Sequence, residues 1–304
     1  DTPDILAELA SVEMHAIQTS GNCVRNITSD EFAGVAQDEV VDPRPYAEIL
    51  RQWSTFHPEF AYLPRKFKIA ISGGKEDRAA IYAHDIGLSV TKNAQGEVGF
   101  RVLVGGGLGR TPIIGVEICE FVPWQHILTY VESILRIYNQ YGRRDNKYKA
   151  RIKILVKALG IDEFKRQVEA DWADLKEGPG TLTIEEVNRV ASFFTDPAYE
   201  TLTDHDSALN EFKADSRSFS NWMMRNVKPH RVPGYAIVVL SLKKPGDAPG
   251  DATAEQMEAI ADLADRYSFG ELRITHKQNL VLADVKQQDL IRLWQEATEY
   301  EVAS

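Results

Sequence analysis

The chain has 304 residues, with 35 lysines and arginines against 45 aspartates and glutamates, so its formal net charge is −10 at pH 7. This acidic balance argues against nonspecific nucleic-acid binding, and an apolar content of 43% argues against a disordered or fibrous chain. No apolar run approaches the roughly 20 residues that cross a bilayer. The sequence therefore predicts a cytoplasmic, globular protein that binds neither membranes nor nucleic acid.

Several common kinds of catalytic site are excluded by the residues present. The chain has two cysteines, Cys23 and Cys119, too few for a disulfide framework or for the four thiolates of an iron-sulfur cluster. The seven histidines show no paired or zinc-type spacing, so no metal ligands are predicted. No Gly-x-Ser-x-Gly motif is present to carry a hydrolase nucleophile.

The first two thirds of the chain begin with helices and continue with strands. Thr2 is predicted to cap a first helix, with Pro3 at its first position. A second helix is expected over 45–53, within an opening segment of residues 1–62. Three strands are expected next, and a polar turn joins the last two as a hairpin. Their ranges are 67–71, 86–91 and 99–104.

Residues after the predicted strands show helical periodicity, and a β-α-β-β-α pattern follows them. Helices are expected over 124–138 and 147–159, then around Phe164 and after Thr183. The polar residues 195–206 separate this part from a β-α-β-β-α pattern. The predicted strands of that pattern are 235–242, 271–275 and 280–283, and its helices begin at Thr253 and Leu290. One further strand would complete a ferredoxin-like unit.

A glycine-rich run, Gly105-Gly106-Gly107-Leu108-Gly109-Arg110, follows a predicted strand. Glycines let backbone N–H groups approach an anion closely, and Arg110 favours a carboxylate or phosphate ligand. The run matches neither the dinucleotide-binding pattern nor a P-loop. A flexible exit from the strand explains it equally well.

Positive charge is concentrated in two other segments. Residues 143–157 contain seven basic residues and one acid, a local charge of 7 − 1 = +6. On a continuous helix Lys147 and Arg151 would share one face, forming either a solvated surface or a site for a polyanion. In the second segment, Lys66 and Lys68 fall on one face of a strand with Phe67 on the other.

Five segments together resemble the sirohaem-dependent nitrite/sulfite reductases, in the same order along the chain. They are residues 21–27 (GNCVRNI), 62–68 (YLPRKFK), 84–88 (HDIGL), 99–111 (GFRVLVGGGLGRT) and 272–280 (LRITHKQNL). The resemblance implies an α+β fold in which a sirohaem-binding α/β domain is followed by an incomplete ferredoxin-like β-α-β-β-α unit. It also implies three parts: residues 1–62, the opening segment of the sirohaem domain; 63–206, its first copy; and 207–304, a truncated second ferredoxin-like half.

The resemblance implies roles for particular residues. Arg25, Lys66 and Lys68 match the family's residues that bind the substrate anion. A second set matches positions that contact sirohaem: Gly105, Gly106, Gly107, Arg110, Arg151, Lys153 and Gln278. Sirohaem carries eight carboxylates, which accounts for dense positive charge in an acidic chain.

The implied function is that of an oxidoreductase that reduces sulfite to sulfide or nitrite to ammonia with sirohaem and a 4Fe-4S cluster. The cluster ligands are expected outside this chain, so the chain alone is expected to be inactive. Electrons would come from a flavoprotein or a ferredoxin. The alternatives are a non-catalytic protein of the same fold that binds a tetrapyrrole or another polyanion, and a regulatory domain related to the last unit.

Overall fold

The computed structural model describes residues 1–204, 207–246 and 248–303, and the chain divides into two compact units. Unit 1 consists of Asp1–Ser29, Val40–Gly73 and Ala79–Phe194, and unit 2 of Asp30–Glu39, Gly74–Arg78 and Thr195–Ser304. Both units combine helices and strands, which agrees with the predicted α+β class. The predicted boundaries after residues 62 and 206 remain predictions, and residues 205 and 206 lie outside the described part.

Unit 1 contains six helices and five strands within the described residues. The helices are α1 (Thr2–Ser11), α2 (Arg44–Ser54), α3 (Ile127–Tyr141), α4 (Ile152–Leu159), α5 (Ile161–Leu175) and α6 (Ile184–Ala191). The strands are β1 (Val24–Ser29), β2 (Phe67–Ser72), β3 (Ile86–Lys92), β4 (Val98–Val104) and β5 (Val116–Pro123). Single 3-10 turns occur at Pro58–Phe60, Ile81–Ala83, Trp124–His126 and Lys147–Lys149.

The strands of unit 1 form one sheet in the order β1-β2-β3-β4-β5. The pairs β1-β2 and β2-β3 are parallel, whereas β3-β4 and β4-β5 are antiparallel. The predicted hairpin between β3 and β4 is confirmed. Arg25 lies within β1, which pairs with β2 although the two strands are distant in sequence.

The alternation of side chains along β2 separates the core from a charged face. Phe67, Ile69 and Ile71 are fully buried and pack in the main core of unit 1, which also includes residues of α2, α3 and α5. Lys66 and Lys68 remain half-buried. The prediction that these two lysines lie opposite Phe67 is therefore supported by the strand.

Two predicted helix starts are wrong. The cap of α1 is Asp1 rather than Thr2, because Asp1 and Asp4 form a reciprocal capping box. The continuous helix over 147–159 is replaced by a 3-10 turn and then α4, with the backbone of Arg151 extended between them. The Asn146 side chain caps the turn, so Lys147 and Arg151 do not share a helical face.

Unit 2 contains four helices and four strands within the described residues. The helices are α7 (Ser207–Asp215), α8 (Arg217–Asn226), α9 (Ala254–Tyr267) and α10 (Leu290–Glu299). The strands are β6 (Val227–Pro229), β7 (Tyr235–Ser241), β8 (Arg273–Ile274) and β9 (Asn279–Lys286). The predicted β-α-β-β-α pattern corresponds to β7, α9, β8, β9 and α10. Thr253 caps α9 in a capping box with Gln256.

The sheet of unit 2 has the order β6-β7-β9-β8, and every pair is antiparallel. A fourth strand, β6, precedes the predicted pattern and pairs with β7 at the edge of the sheet. The prediction of a truncated unit stays a prediction. At three residues, β6 is too short for periodicity to reveal.

The two faces of this sheet are covered differently. Helices α8, α9 and α10 contribute to a large apolar core on one face. On the opposite face, Phe32, Val35 and Ala36 pack against Ile237 and Val281. The segment Asp30–Glu39 therefore covers part of the second face.

Candidate functional site

Four basic side chains of unit 1 form the candidate site, and we call Arg25, Lys66, Lys68 and Arg151 the cationic patch. Burial lowers the pKa of Lys66 below its ordinary value, and the positive charges of Arg25, Lys68 and Arg151 lower it further. Like charges repel one another, so placing these four side chains in one part of unit 1 carries an electrostatic cost. The arrangement is suited to an anion, which would relieve the repulsion.

A break in strand pairing positions Arg25. Val24 pairs with Phe67 and Asn26 pairs with Lys68, so Arg25 is the extra residue of a bulge. The bulge thus lies opposite Phe67 and Lys68 at the start of β2, which Lys66 directly precedes. The Arg25 guanidinium donates a hydrogen bond to the carbonyl oxygen of Thr19. The neighbouring Cys23 is buried, and burial raises the pKa of its thiol.

Arg151 is held by Asp85, which lies immediately before β3 and is fully buried. The Arg151 Nη2 donates to both Asp85 carboxylate oxygens at 2.7 Å, and its Nε donates to Oδ1 at 3.0 Å. The backbone N–H of Lys68 donates to Asp85 Oδ2 at 3.0 Å. Burial raises the pKa of Asp85, and the Arg151 guanidinium opposes that rise. One buried carboxylate thus fixes two members of the cationic patch.

The pKa of Lys66 gives a direct test of this convergence. Replacing Arg25 with methionine removes one of the positive charges that lower the pKa of Lys66, so we expect the pKa to rise. The pKa of Lys66 can be measured from the carbon NMR shift of its methylated amine over a pH titration. Arg166→Met on α5, which removes a charge paired with Glu163, should leave the pKa unchanged. An unchanged pKa in the Arg25 variant would show that Arg25 and Lys66 are far apart.

The glycine-rich run is packed against the protein rather than extended into solvent. Gly105, Gly106 and Gly107 are buried, and Gly105 adopts a φ of 76°, which favours glycine. The N–H of Gly105 donates to the carbonyl oxygen of Asp85 at 3.0 Å, and that of Gly107 donates to Ile113 at 2.9 Å. Two of the three N–H groups are therefore already hydrogen-bonded within the chain.

Lys153 of α4 holds the glycine-rich segment in place through hydrogen bonds. Its Nζ donates to the carbonyl oxygens of Leu108 at 2.9 Å and Thr111 at 2.7 Å, and the residue is buried. A Cβ at position 107 would lie 3.2 Å from the Lys153 Cδ. In this arrangement Lys153 positions the loop through its ammonium group. Its predicted contact with the cofactor stays a prediction.

Gly106 provides a test of why the run is rich in glycine. A Cβ at this position would lie 2.3 Å from the Tyr82 carbonyl oxygen and 2.5 Å from that of His84. We expect Gly106→Ala to lower the free energy of unfolding by about 1–3 kcal/mol through overpacking. Gly115→Ala is a matched control, because its Cβ would meet the same Tyr82 oxygen at 3.3 Å. Equal stability of the two variants in urea would contradict the steric explanation.

Two other predicted site residues, Arg110 and Gln278, belong to different units. Arg110 is exposed at the end of the glycine-rich run in unit 1. Gln278 belongs to unit 2, where it has a φ of 60° and its side chain packs close to Gly250. Their predicted roles in cofactor binding stay predictions.

Asp85 is the functional residue that the sequence prediction missed. The segment 84–88 (HDIGL) contributes to the family resemblance, but the resemblance gives Asp85 no role. An acid placed directly before a buried strand was the available signal, since such a carboxylate requires a buried cationic or N–H partner.

The described ranges, 1–204, 207–246 and 248–303, contain neither a metal-binding cluster of side chains nor a membrane-spanning helix. No cluster of three or more His, Cys, Asp or Glu side chains could hold a metal ion there. Likewise, none of the helices in those ranges combines the length and the apolar character needed to cross a membrane.

Comparison with known families and proteins agrees with this architecture. Residues 20–175 match the family model of the nitrite and sulphite reductase 4Fe-4S domain, and residues 229–300 match the nitrite/sulfite reductase ferredoxin-like half domain. The first match contains the whole cationic patch and covers more than half of the chain. The chain belongs to the nitrite and sulphite reductase family.

Individual relatives extend the similarity along the chain. It is 28% identical to a chloroplastic ferredoxin-nitrite reductase of Arabidopsis thaliana, over 97% of this chain and 45% of that protein. The chain is 30% identical to an assimilatory ferredoxin-dependent nitrite reductase of Haloferax mediterranei, over 94% of this chain and 45% of that protein. It is 32% identical to a sulfite reductase (ferredoxin) of Mycolicibacterium paratuberculosis, over 60% of this chain and 33% of that protein. The chain thus spans about half the length, or less, of these relatives.

A solved structure shows the same fold. The Mycobacterium tuberculosis NirA protein superposes with a TM-score of 0.72 and 25% identity, covering 99% of this chain and 48% of that one. Because the similarity includes both units, the predicted fold class is confirmed.

Proposed function

We propose that this chain is part of a sirohaem and 4Fe-4S oxidoreductase that reduces sulfite to sulfide or nitrite to ammonia. Both anions occur in the names of its relatives, which include nitrite reductases and a sulfite reductase. The convergence of Arg25, Lys66, Lys68 and Arg151 is the observation that carries the proposal. Ferredoxin is the proposed electron donor, because several relatives are named for it.

The residues present fit sirohaem chemically. Its carboxylates need arginine and lysine donors, and the cationic patch provides four such side chains around one buried acid, Asp85. Arg151 presents a guanidinium fixed in orientation by that acid and 21% exposed, so part of it remains accessible to a second carboxylate. The glycine-rich run after β4, and Lys153 of α4 which donates hydrogen bonds to it, would support the cofactor.

The side chains of the patch have two roles in the proposed reaction. When bound, sirohaem supplies the iron centre through which electrons reach the substrate. Lys66, Lys68 and Arg25 would hold the oxyanion by charge-assisted hydrogen bonds. Their positive charges would also stabilise the negative charge that the substrate gains as it is reduced. The lowered pKa of Lys66 makes its ammonium a stronger acid, suited to donate protons as oxygen leaves as water.

Electron supply requires more than these residues. A 4Fe-4S cluster needs four thiolates, and the sequence has two cysteines. Cys23 is buried and Cys119 packs against the core of unit 1, so neither is presented to a cluster. We therefore propose that the 304-residue chain alone does not turn over substrate.

A sirohaem titration of the 304-residue chain tests the proposal. We expect saturable binding, seen as a shift of the visible absorbance, and about 10-fold weaker binding when Arg151 is replaced by methionine, since one charge-assisted contact is lost. Lys157→Met, on the exposed side of α4, is the matched control and should bind as the unaltered chain does. Absence of saturable binding, or equal affinity of both variants, would contradict the assignment of the patch to sirohaem.

A further inference from the structure

A cavity in unit 2 lies on the sheet face that Asp30–Glu39 covers only in part. Its volume is about 450 Å³, and all of its lining residues belong to unit 2. Lys228 of β6 and Val239 of β7 form part of its floor, and Glu31 and Phe32 of the covering segment form part of its wall. The cavity is thus a built feature of this sheet, separate from the cationic patch of unit 1.

A buried carboxylate oxygen in this cavity lacks a partner. The Glu31 side chain is 5% exposed, and its Oε1 accepts a hydrogen bond from the Lys277 Nζ at 2.8 Å. Within the described part of the chain, no hydrogen bond reaches its other oxygen, Oε2. A buried acceptor of this kind normally has a donor, which a water molecule or a ligand can supply.

Some of the positively charged side chains near Glu31 are ion-paired and others are not. Arg78 binds Asp30 at 2.9 Å and Asp38 at 2.7 Å, so its guanidinium is neutralised. Lys277 is paired with Glu31. Arg225 and Lys228 also line the cavity, and neither forms an ion pair with any residue in the described ranges.

We propose that this cavity binds a small dicarboxylate that carries a hydroxyl or ammonium group. The two carboxylates match Arg225 and Lys228, and the hydroxyl or ammonium group donates to the Glu31 Oε2. A simple inorganic oxyanion satisfies the cations but leaves the buried acceptor without a donor. The inference does not depend on the proposed reductase function.

Calorimetric titration of the 304-residue chain without sirohaem tests the proposal. The probes are L-malate, which carries a hydroxyl donor, L-aspartate, which carries an ammonium donor, and succinate, which has the same two carboxylates and no donor. We expect L-malate or L-aspartate to bind, and succinate to bind at least about 10-fold more weakly, since it leaves Glu31 unpaired. The stronger of the first two probes identifies the donor group.

Two variants of α8 locate the site. Arg225→Gln, at the exposed end of the helix, should weaken binding of the better probe by about 10-fold. Arg217→Gln, in the exposed first turn of the same helix and outside the cavity lining, should leave it unchanged. The proposal is overturned if neither probe binds, if succinate binds equally well, or if the two variants behave alike. These outcomes are independent of whether the chain binds sirohaem.

Discussion

Replacing Lys66 or Lys68 with methionine in the whole enzyme, loaded with its cofactors, is expected to lower kcat/KM for the substrate anion by about 100-fold for each change. Each substitution removes one positive charge of the cationic patch, whose other members lower the pKa of Lys66. The effect should be large because the side chains are half-buried, so the lost hydrogen bond is not replaced efficiently by water. Steady-state kinetics with sulfite and with nitrite provide the measurement.

Lys157→Met is a matched control for this experiment. Lys157 lies in the same basic segment as Arg151 but is exposed on the surface of α4, so its kcat/KM should equal that of the unaltered enzyme. The visible spectrum of each variant reports whether sirohaem is retained. A normal spectrum with unchanged kinetics in the Lys66 and Lys68 variants would show that these lysines do not contact the substrate.

Arg151→Met is expected to lower the free energy of unfolding by about 3–5 kcal/mol at pH 7. The change leaves the Asp85 carboxylate, which is fully buried, without its guanidinium partner. Because burial raises the pKa of Asp85 above its unfolded value, the carboxyl binds a proton more readily in the folded variant. The loss of stability should therefore be complete at neutral pH and shrink as the pH falls toward about 4. Urea unfolding of the 304-residue chain at several pH values measures both effects.

Two further variants separate this pair from ordinary surface charges. Arg166→Met breaks an exposed pair with Glu163 on α5 and should leave the unfolding midpoint nearly unchanged. Adding Asp85→Leu to Arg151→Met removes the unpaired buried charge and should restore part of the lost stability. If Arg151→Met and Arg166→Met are equally stable, the Asp85 pair does not organise the site.

The fold was predictable from sequence where the pattern of side chains was local. The β3-β4 hairpin and the capping box of α9 each depend on residues close together in the chain. The strands β1, β5 and β6 were not predicted. Two of them are defined mainly by pairing, β1 with a strand distant in sequence and β6 over only three residues. Helical periodicity could not show that Arg151 leaves the helix, since its conformation is coupled to Asp85, 66 residues away.

The basic residues of the candidate site were proposed from the sequence, but Asp85 and the hydrogen bonds that organise the site were not. The alternation along β2 placed Lys66 and Lys68 on one face, and family resemblance added Arg25 and Arg151. The bulge at Arg25 and the hydrogen bonds that Lys153 donates to the glycine-rich run depend on tertiary structure. The sequence could not show that the N–H groups of Gly105 and Gly107 are already hydrogen-bonded.

A crystal structure of the whole enzyme with sirohaem and nitrite or sulfite bound tests the central claim most directly. We expect oxygen atoms of the anion to lie within hydrogen-bond distance, about 2.7–3.2 Å, of the side-chain nitrogens of Lys66, Lys68 and Arg25. A sirohaem carboxylate should contact Arg151. An anion bound elsewhere, with the two lysines directed into solvent, would contradict the account.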